Sequence, residues 1–190
     1  EQEKETPINL EDTLTTATRE PQIISRRPDL ESGPSIRMPA RRIRDFISAV
    51  DKICNANNRD ELLLALISSA LAQFNAQNSW AALRENPSGA MTSHAGKRRN
   101  GTSIAIKDIP VQEKINMAVE KNQYLLMPRV NPELEEQKIC SIMIAPLIAK
   151  DGCYGVVYVD NALGHEHFTI SDLDYLVLLS SCVASTIAHS

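Results

Sequence analysis

The chain has 190 residues, enough for one ordinary domain with a sizeable core and additional segments. Its 20 Lys and Arg residues against 24 Asp and Glu residues give no general attraction to nucleic acid or to an anionic membrane. No apolar run approaches the roughly 20 residues of a spanning helix, and the polar start does not resemble a signal peptide. Because the chain begins with Glu1, we expect a piece of a longer protein, about which a missing signal says little. We expect the four cysteines to be reduced and buried, in a cytoplasmic protein.

The first 39 residues differ from the rest in composition. They contain five of the ten prolines and show no sustained apolar period. Such a segment cannot bury enough apolar surface to offset the entropy lost on ordering it. We predict a largely irregular Pro-rich linker over 1–39 and a folded domain over 40–190. In the alternative, the segment docks as a strap through Ile23, Ile24, Leu30 and Ile36.

Two helices are predicted next. The first has a regular stripe of apolar side chains, and Asn55 to Asn58 interrupt it. Asn58 is placed to cap a second helix over Glu61 to Phe74, whose first turn carries Asp60 and Glu61. The stripe of the first helix consists of Ile43, Phe46, Ile47, Val50, Ile53 and Cys54.

The middle of the chain mixes short strands, loops and one helix without a repeating unit. This pattern is typical of an α+β protein rather than of a regularly alternating parallel sheet. The predicted elements are a strand over Ser79–Leu83, a loop over Arg84–Gly101, a short strand over Ser103–Ile106, a helix over Pro110–Lys121 and a strand over Tyr124–Met127.

A β-hairpin is predicted between Ile139 and Asp160. Both strands are apolar at nearly every position, so the hairpin should be covered on both faces. Asp151-Gly152 has the residue types that a two-residue turn requires. After a loop, Thr169 and Asp172, or Ser171 and Asp174, have the spacing of a capping box at the start of a final apolar helix.

The carboxyl-terminal third resembles a GAF domain. The resemblance rests on Ala145-Pro146-Leu147, on the strand Gly155 to Asn161, and on Phe168-Thr169 followed by Asp172. It is specific from Ile139 to Ala188 and weaker from Ile43 to Val130. It implies a central antiparallel sheet with the first and last helices on one face and a ligand pocket on the other.

The resemblance also implies site residues. Strand placement suggests a pocket lined by Trp80, Met91, Tyr124, Met143 and Tyr158, although plain core packing is the simpler interpretation of each residue. In GAF proteins the terminal helices commonly pair across a homodimer. Here that interface would use Ile43, Phe46, Ile47, Val50, Leu176, Leu179, Val183 and Ile187.

Some GAF domains bind cyclic nucleotides, and this chain retains part of their signature. Asn161, Phe168 and Asp172 are present, but Ala162 stands where that signature has Lys and Leu173 where it has Glu. The Lys–Asp pair of the signature cannot form. Cyclic-nucleotide binding therefore stays a minor alternative, and the sequence leaves the cofactor unknown.

No catalytic constellation is visible, and we expect no metal. His165-Glu166-His167 resembles a metal tripeptide but has no third ligand placed by the sequence. The four cysteines form no CxxC pair, Cys140 lacks the neighbours of a methionine sulfoxide reductase, and His94 is a weak haem candidate. The basic clusters near Arg42 and Arg98 lack the interleaved aromatic residues of a nucleic-acid site.

The sequence thus predicts a non-enzymatic sensory or regulatory module of a multidomain signalling or transcription-regulatory protein. It would bind an unidentified small molecule and signal to neighbouring domains through dimer-forming terminal helices. The alternative is a dimerisation or protein-docking module whose pocket is filled by its own side chains.

Overall fold

The computed structural model describes residues 22–28, 38–131, 134 and 137–190. Within these residues, six strands form one sheet in which all paired strands are antiparallel, and four α-helices accompany it. This confirms the predicted α+β class and the central antiparallel sheet. The strands are β1 (Gln22–Arg26), β2 (Asn78–Leu83), β3 (Ser93–Arg98), β4 (Tyr124–Arg129), β5 (Ile139–Ala149) and β6 (Gly152–Ala162), and the helices are α1 (Ala40–Cys54), α2 (Arg59–Gln73), α3 (Gln112–Lys121) and α4 (Ile170–Ala188).

The predicted hairpin forms the middle of the sheet, whose strand order is β1-β4-β5-β6-β2-β3. Nearly every residue of β5 and β6 is buried, as two apolar faces require. The turn lies one residue earlier than predicted, because Ala149 pairs with Gly152 and leaves Lys150 and Asp151 as the loop. Gly152 instead opens β6 with a φ of 144°, and a β-carbon there would lie 2.6 Å from the Cβ of Pro87.

The sheet separates two apolar cores. The helix-side core joins α2 and α4 to one face of the sheet and includes Leu66, Phe74, Tyr124, Met143, Val157 and Leu176. The loop-side core lies on the other face, under α3 and the connections around it. It includes Trp80, Ile104, Ile115, Leu125, Ile142 and Tyr158.

The helix α1 joins the helix-side core through Ala49 and Ile53. It packs on α2 and α4 rather than directly on the sheet. The two helices beneath it begin with the predicted caps: the Asn58 side chain accepts from the Glu61 N–H at 2.9 Å, and Thr169 and Asp172 form a reciprocal capping box. These caps fix where α2 and α4 begin, and α1 packs on the surface that the two helices form.

One strand was missed by the sequence and one was predicted wrongly. Ser93–Arg98, inside the predicted loop, form the edge strand β3, where only Gly96 is fully buried. A half-exposed edge strand has little need of apolar alternation, so the pattern was weak. Ser103–Ile106 is not a strand; Ser103 makes a single bridge to Lys97, and a short 3₁₀-helix begins at Ile106.

Part of the predicted linker is a strand of the sheet. β1 pairs with β4, and Ile24 packs against the helix-side core while Ile23 stays exposed. Arg26 forms an ion pair with Asp174 of α4. Leu30 and Ile36, the other two residues of the docking alternative, lie outside the described residues.

By length and hydropathy alone, α4 passes as a membrane span. In the fold its apolar residues are instead buried against β5 and the neighbouring strands. The core helix of a globular domain passes the same test, so α4 gives no sign of a membrane protein.

Deleting residues 1–28 should destabilise the domain, because β4 loses one of its two strand partners and Asp174 loses the Arg26 cation. We expect a loss of about 2 kcal/mol, or several degrees in Tm. Deleting only residues 1–21 is the matched control and should leave Tm close to that of the full chain. Equal Tm values for the two deletions would show that β1 adds nothing to stability.

Candidate functional site

On the predicted ligand side of the sheet, side chains of the described residues pack closely together. Trp80 is 6% exposed and Tyr158 is fully buried in the loop-side core, against which Met91 packs from its edge. The chain after β3 approaches so closely that a β-carbon on Gly96 would lie 2.6 Å from the Ile104 carbonyl oxygen and 2.9 Å from the Trp80 ring. These residues therefore line a packed core in the described conformation.

Two of the suggested pocket residues lie on the opposite face. Tyr124 and Met143 belong to the helix-side core, so they cannot line a pocket on the loop side. Successive residues of a strand alternate between faces, and their strand neighbours Leu125 and Ile142 are the ones that face the loop side. Where both faces of a strand are apolar, the sequence does not show which of the alternating residues point to which face of the sheet.

A polar cluster that sequence reasoning missed lies at one end of the loop-side face. Asp160 is 1% exposed and accepts hydrogen bonds from the Tyr158 hydroxyl at 2.6 Å and the Asn78 backbone N–H at 3.1 Å. The Asn78 side-chain amide also donates to both carboxylate oxygens, at 3.0 and 3.1 Å. A carboxylate in a strand that is otherwise apolar was the available signal.

Burial gives this carboxyl an unusual charge equilibrium. Desolvation raises the pKa of Asp160 to about 6, although the hydrogen bonds from Tyr158 and Asn78 act in the opposite direction. Burial likewise raises the pKa of Tyr158 well above its ordinary value, so its hydroxyl remains a donor. The cluster ties the start of β2 to β6, but the Asn78 side-chain oxygen is buried without a partner.

The three residues shared with the cyclic-nucleotide signature surround a different feature. A groove of about 670 Å³ opens between the start of α1, the end of α2 and the loop before α4, and Asn161, Phe168 and Asp172 all line it. Asn161 donates to the Glu166 carbonyl at 2.8 Å, and Phe168 packs edge-to-face on Phe74. These contacts shape the loop and the entry to α4, and they account for the residues without a nucleotide.

Arg42 forms one wall of this groove and joins α1 to the domain. Its guanidinium pairs with Asp172 and lies over two aromatic rings, 5.4 Å from the Phe74 centroid and 5.0 Å from that of Tyr175. Its Nη1 is buried without a hydrogen-bond acceptor. The faces of the two aromatic rings stabilise the positive charge and offset part of the missing hydrogen bond. The Arg42 contacts therefore hold the beginning of α1 to the domain.

The predicted dimer residues divide into two groups. On α1, Ile43 is 43% exposed and Ile47 is 61% exposed, while Phe46 is half-buried against Tyr175. We call Ile43, Ile47, Val50 and Cys54 the outer stripe. The α4 residues proposed for the interface are buried in the core, because α4 lies directly on the sheet: they are Leu176, Leu179, Val183 and Ile187.

The histidine tripeptide lies on the exposed loop before α4, where it lines the groove. Among the described residues, no group of three His, Cys, Asp or Glu side chains is arranged to hold a metal ion. His94 is exposed on β3. Cys140 is buried, and burial raises the pKa of its thiol, which lowers its reactivity.

The fold is similar to solved GAF domains. The GAF domain from an Acinetobacter phosphoenolpyruvate-protein phosphotransferase matches with a TM-score of 0.59 and 12% identity, over 80% of this chain and 95% of that one. The equivalent domain from Coxiella burnetii gives 0.56 and 14%, over 78% and 93%. The GAF domain of the cyanobacteriochrome TePixJ gives 0.54 and 11%, over 72% and 93%.

No protein-family model and no curated protein matches the sequence. The structural similarity confirms the GAF resemblance at the level of the fold. Sequence identities of 11% to 14% carry no information about which molecule this chain binds.

The buried Asp160 predicts a pH-dependent stability difference. Because its folded-state pKa is raised from 3.8 to about 6, the folded protein binds this proton more tightly than the unfolded chain does. The cost of the buried charge is absent below about pH 4 and reaches about 3 kcal/mol above pH 6. Asp160→Asn should therefore become more favourable relative to wild type as pH rises from 4 to 7, as measured by urea unfolding.

The exposed Glu85, paired with Arg59 at the surface, provides the control. Glu85→Gln should change the free energy of unfolding by much less over the same pH range. A difference between Asp160→Asn and wild type that does not vary with pH would show that Asp160 titrates normally in the fold.

Proposed function

We propose that this chain is a non-enzymatic regulatory GAF module of a multidomain signalling or transcription-regulatory protein, working in the cytoplasm as a homodimer. The outer stripe of α1 is its interface. α1 packs on the outer side of α2 and α4. Ile47, an apolar residue at the middle of the outer stripe, is 61% exposed in the single chain. That exposure is the observation that carries the proposal, because apolar side chains in a row on one helix face favour a partner.

The regulatory step is a shift of α1 between two positions relative to α2 and α4. On its inner side, α1 is held by Arg42 with Asp172 and by the Gln73 side chain, which donates to the Asp45 carbonyl at 3.0 Å. A tilt of the helix would change these polar contacts and the packing of the buried Ala49 and Ile53. A signal that favours one position increases the fraction of molecules in that position. The neighbouring domains respond to the relative position of the two α1 helices in the dimer.

Small-molecule sensing is the second candidate. The loop-side core is covered by α3 and irregular connections rather than by a second sheet, and cores of that kind open at lower cost. Trp80, Met91 and Tyr158 remain the residues beside which a ligand would lie. Since these side chains fill the space in the described conformation, the ligand-free dimerisation or docking module is the reading that the geometry favours.

Ile43→Glu or Ile47→Glu should convert the dimer to monomer, because a desolvated carboxylate at the centre of an apolar contact costs several kcal/mol. Analytical ultracentrifugation would measure the change, and far-ultraviolet circular dichroism should remain unchanged because both side chains are exposed in the single chain.

Leu163→Glu is the matched control. Leu163 is similarly exposed, at 46%, but lies in the loop after β6 rather than on α1. It should leave the dimer intact. Dimers that survive both α1 substitutions would place the interface elsewhere and remove the main support for the proposal.

A native mass spectrum of the purified chain should show a dimer of bare chains. Additional mass that leaves on mild activation would establish the sensing function instead. A spectrum containing monomer alone at micromolar concentration would contradict the proposed dimer. Added cyclic AMP or cyclic GMP should produce no mass shift, because Ala162 has no cation to offer a phosphate.

A further inference from the structure

The apolar stripe predicted for α1 divides into two rows in the structure. The inner row contains Phe46 and Ile53 and is extended by Arg42 and Ala49; these four residues recur at intervals of 4, 3 and 4 and face the domain. The outer stripe of Ile43, Ile47, Val50 and Cys54 has the same intervals one residue later. This spacing matches the a and d positions of a heptad, through which two helices pack by knobs-into-holes contacts.

The two borders of the outer stripe are unlike each other. The border formed by Phe46 and Ile53 is turned toward the domain and is packed there. The other border carries Arg44 and Asp51, which are both exposed. Neither forms an ion pair within the part of the chain that the structure describes, although the Asn55 side chain donates to Asp51 at 3.2 Å.

This asymmetry distinguishes the two ways in which a second α1 can pack. In a parallel pair, the charged border of one helix faces the other type of border on the second helix, which here carries Phe46 and Ile53. In an antiparallel pair, like borders meet. Only the antiparallel arrangement brings Arg44 of one chain to Asp51 of the other, and the two-fold axis creates this pair twice.

Resting on the proposed dimer, we propose that α1 pairs antiparallel with α1 of a second copy, and that two reciprocal Arg44–Asp51 contacts fix the orientation. Ile47 of each chain then lies against Val50 of the other, and Cys54 lies near Ile43. The apolar stripe supplies most of the affinity, whereas the charged pairs supply register and orientation.

A charge exchange tests the arrangement. Arg44→Glu and Asp51→Arg should each weaken the dimer about tenfold or more, because each places like charges together at two positions. The double variant Arg44→Glu/Asp51→Arg should recover most of the lost affinity. The two residues are about 10.5 Å apart along one helix, too far for recovery through a contact within one chain.

Lys52→Glu serves as the control, since Lys52 is exposed on α1 but lies away from the outer stripe, beside α2. It should change the dimer dissociation constant little. A double variant no tighter than the weaker single variant would overturn the antiparallel pairing.

Disulfide cross-linking gives a second readout. Cys182 is close enough to Cys54 to affect it: burial first, and then the Cys54 charge, raise the pKa of Cys182. The test therefore uses a Cys182→Ser background. Ile43→Cys should allow rapid interchain cross-linking with Cys54 under mild oxidation, whereas the parent should cross-link poorly, because two Cys54 residues are then separated by about 16 Å along the axis.

The outcomes separate this inference from the proposed function. Loss of the dimer on Ile47→Glu, together with efficient cross-linking between the two Cys54 residues, would show a parallel dimer through the same stripe. That result would overturn the antiparallel inference and leave the proposed function standing. A dimer insensitive to Ile47→Glu would contradict both.

Discussion

The structure depends on a hairpin that must be covered on both faces. β5 and β6 lie at the centre of the sheet and are apolar on both sides, so neither face can meet water. α2 and α4 cover one face, while α3 and its connections cover the other. Both faces are then occupied, and α1 has only the backs of two helices on which to pack. Its exposed stripe is a consequence of that order of layers.

The sequence predicted the parts of the fold that have strong local signals. The hairpin was visible because its apolar runs are long, and α2 and α4 were visible because Asn58 and Thr169 are strong caps. β3 was missed because an edge strand with a half-exposed face has no such pattern. β1 lies among prolines and is formed by its pairing with β4, which no local pattern reveals.

The candidate sites were harder to predict because they depend on orientation. Tyr124 and Tyr158 are both buried aromatic strand residues, yet they lie on opposite faces, since the phase of each strand is fixed only by its neighbours. For the same reason, the apolar residues of α4 resembled an interface although they face the sheet. Asp160 could have been singled out, because a carboxylate in a buried strand needs several donors nearby.

The position of β1 determines how force would travel through this protein. β1 precedes α1 in the chain and is paired into the sheet edge, with Arg26 tied to α4. Tension from any domain attached on the amino-terminal side would therefore be borne by the β1–β4 hydrogen bonds before it reached α1. While β1 stays paired, α1 is mechanically insulated from that side of the chain. Loss of β1 would convert the same attachment into a direct pull on the helix.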